Sequence, residues 1–421
     1  MPLFFRTLFT TRGEAFAFVG FLVLLLVILP LALPIFRLNL VGKYLTFGFV
    51  AIGLVLLWGR CGVLSLGQGV FFGLGGYCMA MFLKLEASDP VTTAIQSTPG
   101  IPDFMDWNQI TQLPLFWEPF KSLPFTIFAI FVLPALIAFI IGWALFRRRV
   151  GGVYFAIITQ AIALILSLGI DGNQGFTGGR NGITDLRTLL GWDIRSENAQ
   201  YILYFLCVFL LFTVALGAKY IINTRLGRVL VAIRDREDRV RFSGYDVAMV
   251  RSFIFAFAAM ISGVGGALFV LQVGFMSPSI IGIIPSIEMV IFTAVGGRLS
   301  VLGAILGCLI VNFGKTTFSE AYPDLWLYLM GGTFIAVVMF FPNGLAGLLE
   351  KIPTRREKYA GILARFHKAG AADTLNALNH GTSSVILQGY FQLGLAIVGL
   401  DREAIDIALI FQHLRDGDFD F

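Results

Sequence analysis

Run after run along this chain lacks a single charge and is long enough to cross a hydrocarbon layer. Ala15–Phe36 has 22 residues, about 33 Å as a helix against a bilayer core of ~30 Å. Tyr44–Trp58, Cys61–Leu83, Ser122–Phe146, Val150–Ile170 and Ala199–Ala218 follow, then Ser252–Phe275, Ile280–Gly297 (with one acid), Leu299–Gly314 and Leu325–Leu345. In lipid each backbone N–H and C=O must be bonded within its own segment, so such runs become helices. The pattern predicts an all-α polytopic transmembrane helical bundle with about ten hydrophobic segments, some short or re-entrant. Composition agrees: 57% of residues are hydrophobic and 14% charged, where a soluble chain carries roughly 25% charged residues. The first run exceeds the usual core of a cleaved signal peptide and lacks a small-x-small site after it, so it reads as a retained helix.

Orientation follows from the basic residues. Arg6 and Arg12 precede the first run, Arg147, Arg148 and Arg149 follow the fourth, and seven arginines lie between Arg225 and Arg251. Placing these in the cytoplasm puts Glu86–Glu118, with five acids and no base, outside. Both termini are then cytoplasmic. Residues 1–13 form a cytoplasmic N-terminus, 14–350 the membrane domain with a cytoplasmic loop at 223–251, and 351–421 a charged cytoplasmic C-terminal extension. The net charge of +5 is spread between apolar runs, as topology determinants are, and does not suggest nucleic acid.

Catalytic and metal chemistry find no footing. Cys61, Cys78, Cys207 and Cys308 lie in apolar runs without metal-site spacing, and the histidines (His367, His380, His413) all fall in the extension. Gly314-Lys315-Thr316-Thr317 resembles the end of a phosphate-binding loop, but position 309 is leucine where that loop needs glycine. The expectation is a chain with no catalytic or metal site and no cofactor of its own.

Polar residues inside apolar runs are the candidates for function. Glycine at 62, 67, 69, 73, 75 and 76 suits close helix packing or a helix break, with Ser65 and Gln68 offering hydrogen-bonding groups near the midplane. Glu288 is an intramembrane carboxylate with Arg298, Asn312 and Lys315 as candidate partners. With Gln160, these residues (Ser65, Gln68, Gln160, Glu288, Asn312, Lys315) are candidates for a solute pathway or the bundle interior. In the loop, Leu226, Val229, Leu230 and Ile233 recur at helical spacing opposite mixed charge, and Gly244 is a plausible stop. A short amphipathic helix of this kind asks for a partner groove or the lipid surface, and its acids (Asp235, Glu237, Asp238) argue against anionic lipid and for a cytoplasmic protein.

At this loop the chain resembles permeases of the branched-chain amino acid and urea group of ABC importers. Gly227-Arg228 and Ala232-Ile233-Arg234-Asp235 match the family's coupling helix. Leu64-Ser65-Leu66-Gly67, Gly152–Ala161, Gly178–Asp185, Ser286-Ile287-Glu288-Met289-Val290 and Ala294–Arg298 match further, so the resemblance covers about residues 40–348. Thr159-Gln160-Ala161, the arginine-rich run at 234–241 and Val311–Lys315 look most like the second urea permease subunit. The family usually carries histidine where this chain has Gln68, and commonly ends soon after Phe341-Pro342-Asn343-Gly344-Leu345. The resemblance implies a multi-pass protein of the cytoplasmic membrane that partners a second homologous permease subunit, two ABC ATPase subunits and an extracytoplasmic solute-binding protein. ATP and Mg would be bound by the ATPases. Urea is the expected solute and a branched-chain amino acid the alternative; an ion-coupled transporter would need more intramembrane ionisable groups than Glu288.

Overall fold

The computed structural model describes residues 12–89, 100–322 and, in part, 325–350. Among the described residues eight helices are long and apolar enough to cross a membrane, and a shorter apolar helix joins them. The long ones are α1 (Gly13–Ala32), α2 (Ile35–Arg60), α3 (Gln68–Ser88), α4 (Leu123–Arg147), α5 (Gly152–Gly172) and α6 (Glu197–Asn223). After the loop helix α7 (Arg225–Phe242) come α8 (Val247–Val273), the 14-residue α9 (Ile283–Gly296) and α10 (Val301–Ala321). The only sheet among the described residues is a two-residue hairpin, Thr188–Leu189 with Trp192–Asp193. The chain is a polytopic helical membrane bundle.

Several boundaries differ from those of the uncharged runs. α2 begins at Ile35 and so includes Arg37 and Lys43; α3 starts at Gln68 and runs on through Lys84 and Glu86. Cys61–Gly67 is not helical, so the run expected at Cys61–Leu83 is a break followed by a helix. At about 21 Å, α9 is too short to span alone, as the re-entrant reading anticipated. Much of Leu325–Leu345 and the whole extension 351–421 lie outside the described residues.

Helix α8 is the hub and packs on α2, α3 and α4. Small residues allow it: a Cβ on Gly75 would collide with the Gly263 carbonyl across the α3–α8 contact. On its other side Gly263 lies against Pro134 and the Ile130 carbonyl of α4, the oxygen that Pro134 has no N–H to bond.

The two ends of the bundle are tied differently. At the acid-rich end the buried Lys84 donates to Asp103 Oδ2 at 2.9 Å and to the Thr184 carbonyl at 3.1 Å. Ile183 and Met276 exchange backbone hydrogen bonds there, and Glu86 accepts from the Leu190 and Gly191 amides. At the arginine-rich end Arg60 donates to the Leu299 carbonyl at 3.1 Å, joining the foot of α2 to the α9–α10 turn.

Candidate functional site

The loop helix α7 buries Gly227, Leu230, Ile233 and Val240 and exposes Arg228, Ala232, Asp235 and Arg239. Arg228, Ala232 and Asp235 follow helical spacing, so they form one continuous face with alanine between charges, and Arg239 is exposed farther along the helix. Thr224 begins the helix and Gly244, at φ +85°, ends it two residues beyond Phe242.

Arg234 does not belong to that outward face. Its Nη1 donates to the Gly59 carbonyl at 2.8 Å and its Nε to Asp235 at 2.9 Å. Its methylenes lie over Gly62, where a Cβ would sit 2.7 Å from Arg234 Cγ. Gly62 has φ +78°, a left-handed conformation that glycine adopts without the Cβ penalty. Thus α7 rests on the residues where α2 ends and the break begins.

Helix α7 is itself bent. Arg236 leaves helical geometry at φ −151° and ψ 78°. Beyond the bend Glu237 accepts from Arg241 at 2.7 Å and pairs with Arg251 of α8 at 2.8 Å. One half of α7 is therefore tied to α2 and the other to α8.

The break carries its own polar contacts. The Leu66 amide donates to Thr159 Oγ1 of α5 at 3.1 Å, and Ser65 Oγ accepts weakly from the Gly67 amide at 3.4 Å. Gln68 is fully buried at the first turn of α3; its Oε1 accepts from Ser262 Oγ of α8 at 3.1 Å, while its Nε2 has no partner among the described residues. Gly69 sits against Ser286 and the Ile280 and Ile281 carbonyls, bringing the starts of α3 and α9 together. Gln160, half-buried on α5, makes no hydrogen bond to these groups among the described residues.

Glu288 does find a partner. Both its oxygens accept from Lys315 Nζ at 2.7 Å, linking α9 to α10. The other two candidates are engaged elsewhere: Asn312 donates to the Cys308 carbonyl at 2.8 Å, and Arg298 lies over the Trp58 ring at 5.3 Å. Lys43, which no run-based reading singled out, stands within electrostatic reach of both Glu288 and Lys315. Beside it Tyr44 shares a hydrogen bond with Thr316. The structure thus gathers Glu288, Lys315 and Lys43 in one place and Ser65 and Gln68 in another. No group of histidine, cysteine and acidic residues among those described could hold a metal.

Comparison with known proteins agrees with this architecture. The family described as "Branched-chain amino acid transport system / permease component" matches residues 36–338. The high-affinity branched-chain amino acid transport system permease protein LivM of Escherichia coli strain K12 is 24% identical over 322 residues, covering 70% of this chain and 66% of that protein. LivM of Salmonella typhimurium is 23% identical over 320 residues, with the same coverage. The probable LivM of Methanocaldococcus jannaschii is 24% identical over 323 residues, 72% of this chain and 84% of that protein. The match spans slightly less than two thirds of the length of the first two relatives. No solved structure matches the chain. With a family match over residues 36–338 and a bundle of membrane-length helices, this chain belongs to the family of branched-chain amino acid transport system permease components.

Proposed function

We propose that the chain is one membrane subunit of an ATP-driven importer of a small polar solute in the cytoplasmic membrane. The observation that carries this is α7: an amphipathic helix at the arginine-rich end, anchored inward through Arg234 and Glu237 and presenting Arg228, Ala232 and Asp235 outward. In this reading that face docks on an ABC ATPase subunit. A second homologous permease completes the bundle, a second ATPase completes the engine, and a binding protein delivers the solute outside. ATP and Mg are handled by the ATPases, and this chain supplies path and lever.

The relatives' names favour a branched-chain amino acid as the solute. Urea, the first expectation from sequence, gains no support from them and rests on the short motifs around Gln160, Arg234–Arg241 and Val311–Lys315. It stays as the second reading. Uptake of labelled leucine and labelled urea, in parallel, by cells with and without this subunit tests both. Uptake that follows an ion gradient and survives ATP depletion would refute the ATP-driven reading.

A further inference from the structure

Three helices around the Glu288–Lys315 pair repeat one arrangement. On α2, Lys43 lies one turn from Phe47; on α8, Gln272 lies one turn from Phe269; on α9, Glu288 lies one turn from Phe292. Given the helix directions, each polar residue is the one farther from the arginine-rich end. The phenylalanines meet: Phe47 stands 5.7 Å from both Phe269 and Phe292, and Phe72 stacks on Phe47 at 5.3 Å. A polar ring therefore lies above an aromatic floor, about 15–25 Å along the helices from Arg298 and Arg60.

Two members of the ring have needs the fold does not meet. Gln272 Oε1 is buried and has no hydrogen-bond partner among the described residues, with Gly42 leaving the room it occupies. The Lys43 ammonium makes no hydrogen bond or ion pair among the described residues and lies 5.9 Å from the Phe269 ring centroid. A structural tie accounts for Glu288 with Lys315, but a second amine and a stranded amide oxygen inside a membrane span are costly without a function.

We infer that this ring is a station for the transported solute, a small molecule with an acceptor oxygen at one end and N–H donors at the other. The inference rests on the permease reading. The Lys43 ammonium donates to the solute oxygen, Gln272 Oε1 and Glu288 accept its N–H groups, and the phenylalanine floor closes the path below. Urea and the ammonium-carboxylate end of an amino acid both offer this chemistry.

The test uses the intact transporter in cells, with labelled leucine and labelled urea as probes and the amount and thermal stability of the membrane complex as controls. Gln272→Leu removes an orphaned buried oxygen, so a merely structural residue would leave the complex as stable or more so, with transport unchanged. The station instead requires uptake of one solute to fall about tenfold or more, the loss of one polar contact to bound solute, while the complex persists. Lys43→Met should act likewise and Lys43→Arg should restore uptake. The solute whose uptake falls identifies the source. Uptake within twofold of the parent for both solutes in Gln272→Leu and Lys43→Met would overturn the station. If Lys43→Met does not accumulate, Gln272→Leu decides alone. A parent that imports neither solute would overturn the functional reading and this inference with it.

Discussion

Replacing Arg234 by alanine should uncouple ATP hydrolysis from transport. The substitution removes the 2.8 Å bond to the Gly59 carbonyl and the cover over Gly62, so α7 loses its grip on the foot of α2. A hydrogen bond to a charged group contributes about 1.5–3 kcal/mol. The Arg234 side chain is 33% exposed, which places the loss at the lower end, about 1.5 kcal/mol. At ~1.4 kcal/mol per decade that is about a tenfold shift toward a loosened joint. The assay is solute uptake and ATP hydrolysis in the same reconstituted vesicles. Solute moved per ATP should fall about tenfold while hydrolysis continues, because the exposed face at Arg228, Ala232 and Asp235 is untouched. Gly62→Ala should reproduce the phenotype by crowding Arg234 from the other side and straining a left-handed backbone, at about 1–2 kcal/mol. Uptake and hydrolysis falling in proportion, or neither changing, would refute the joint.

Three further outcomes follow from contacts elsewhere. Asp103→Asn should destabilise the acid-rich end by about 3–5 kcal/mol, because the Lys84 side chain is 1% exposed and would lose its counter-charge; a lowered thermal midpoint with partial recovery in a Lys84→Met/Asp103→Asn double variant checks this. Gly75→Ala should prevent accumulation of the folded protein, since the methyl meets the Gly263 backbone rather than a side chain that can move; normal membrane levels would contradict it. Burial alone would raise the Asp185 carboxyl, but the hydrogen bond and charge of Arg187, with Arg195 and Lys84, outweigh it and hold the carboxyl below its usual value. Its stabilisation of the 183–196 loop is thus complete above about pH 4 and is lost only as pH falls through the depressed value, so hydrogen-exchange protection there, taken relative to the intrinsic rate at each pH, should be unchanged from pH 7 to 5; lost protection near pH 6 would contradict the assignment.

The bundle was legible because lipid enforces helices wherever charge is absent for long enough. Ile233 and its apolar neighbours announced α7 by spacing alone, and Glu288 announced itself as the one acid in an apolar run. What escaped sequence reasoning were charges that found partners or neighbours across the fold. Lys43 stands just before the uncharged run Tyr44–Trp58 and so outside it, yet α2 carries it inside the bundle beside Glu288 and Lys315. Lys84 likewise looked like an end and is a buried residue of α3 held by Asp103. Gln272, uncharged within an apolar run, gave no signal; only the packing of α8 against Gly42 exposes its unmet oxygen. The choice among Arg298, Asn312 and Lys315 as the partner of Glu288 also needed the α9–α10 turn. All three are near in sequence, and only Lys315 returns to the right level of the bundle.

In the reading we propose, this chain passes a small polar solute under ATP control exerted through α7. The most direct test is uptake of labelled leucine and labelled urea by cells carrying the intact chain, the Arg234→Ala variant or no chain, each with and without ATP depletion. Uptake of one of these solutes should require the chain, stop on ATP depletion and fall about tenfold in the variant. Chain-dependent uptake that persists without ATP and tracks an ion gradient, with Arg234→Ala indistinguishable from the parent, would contradict it.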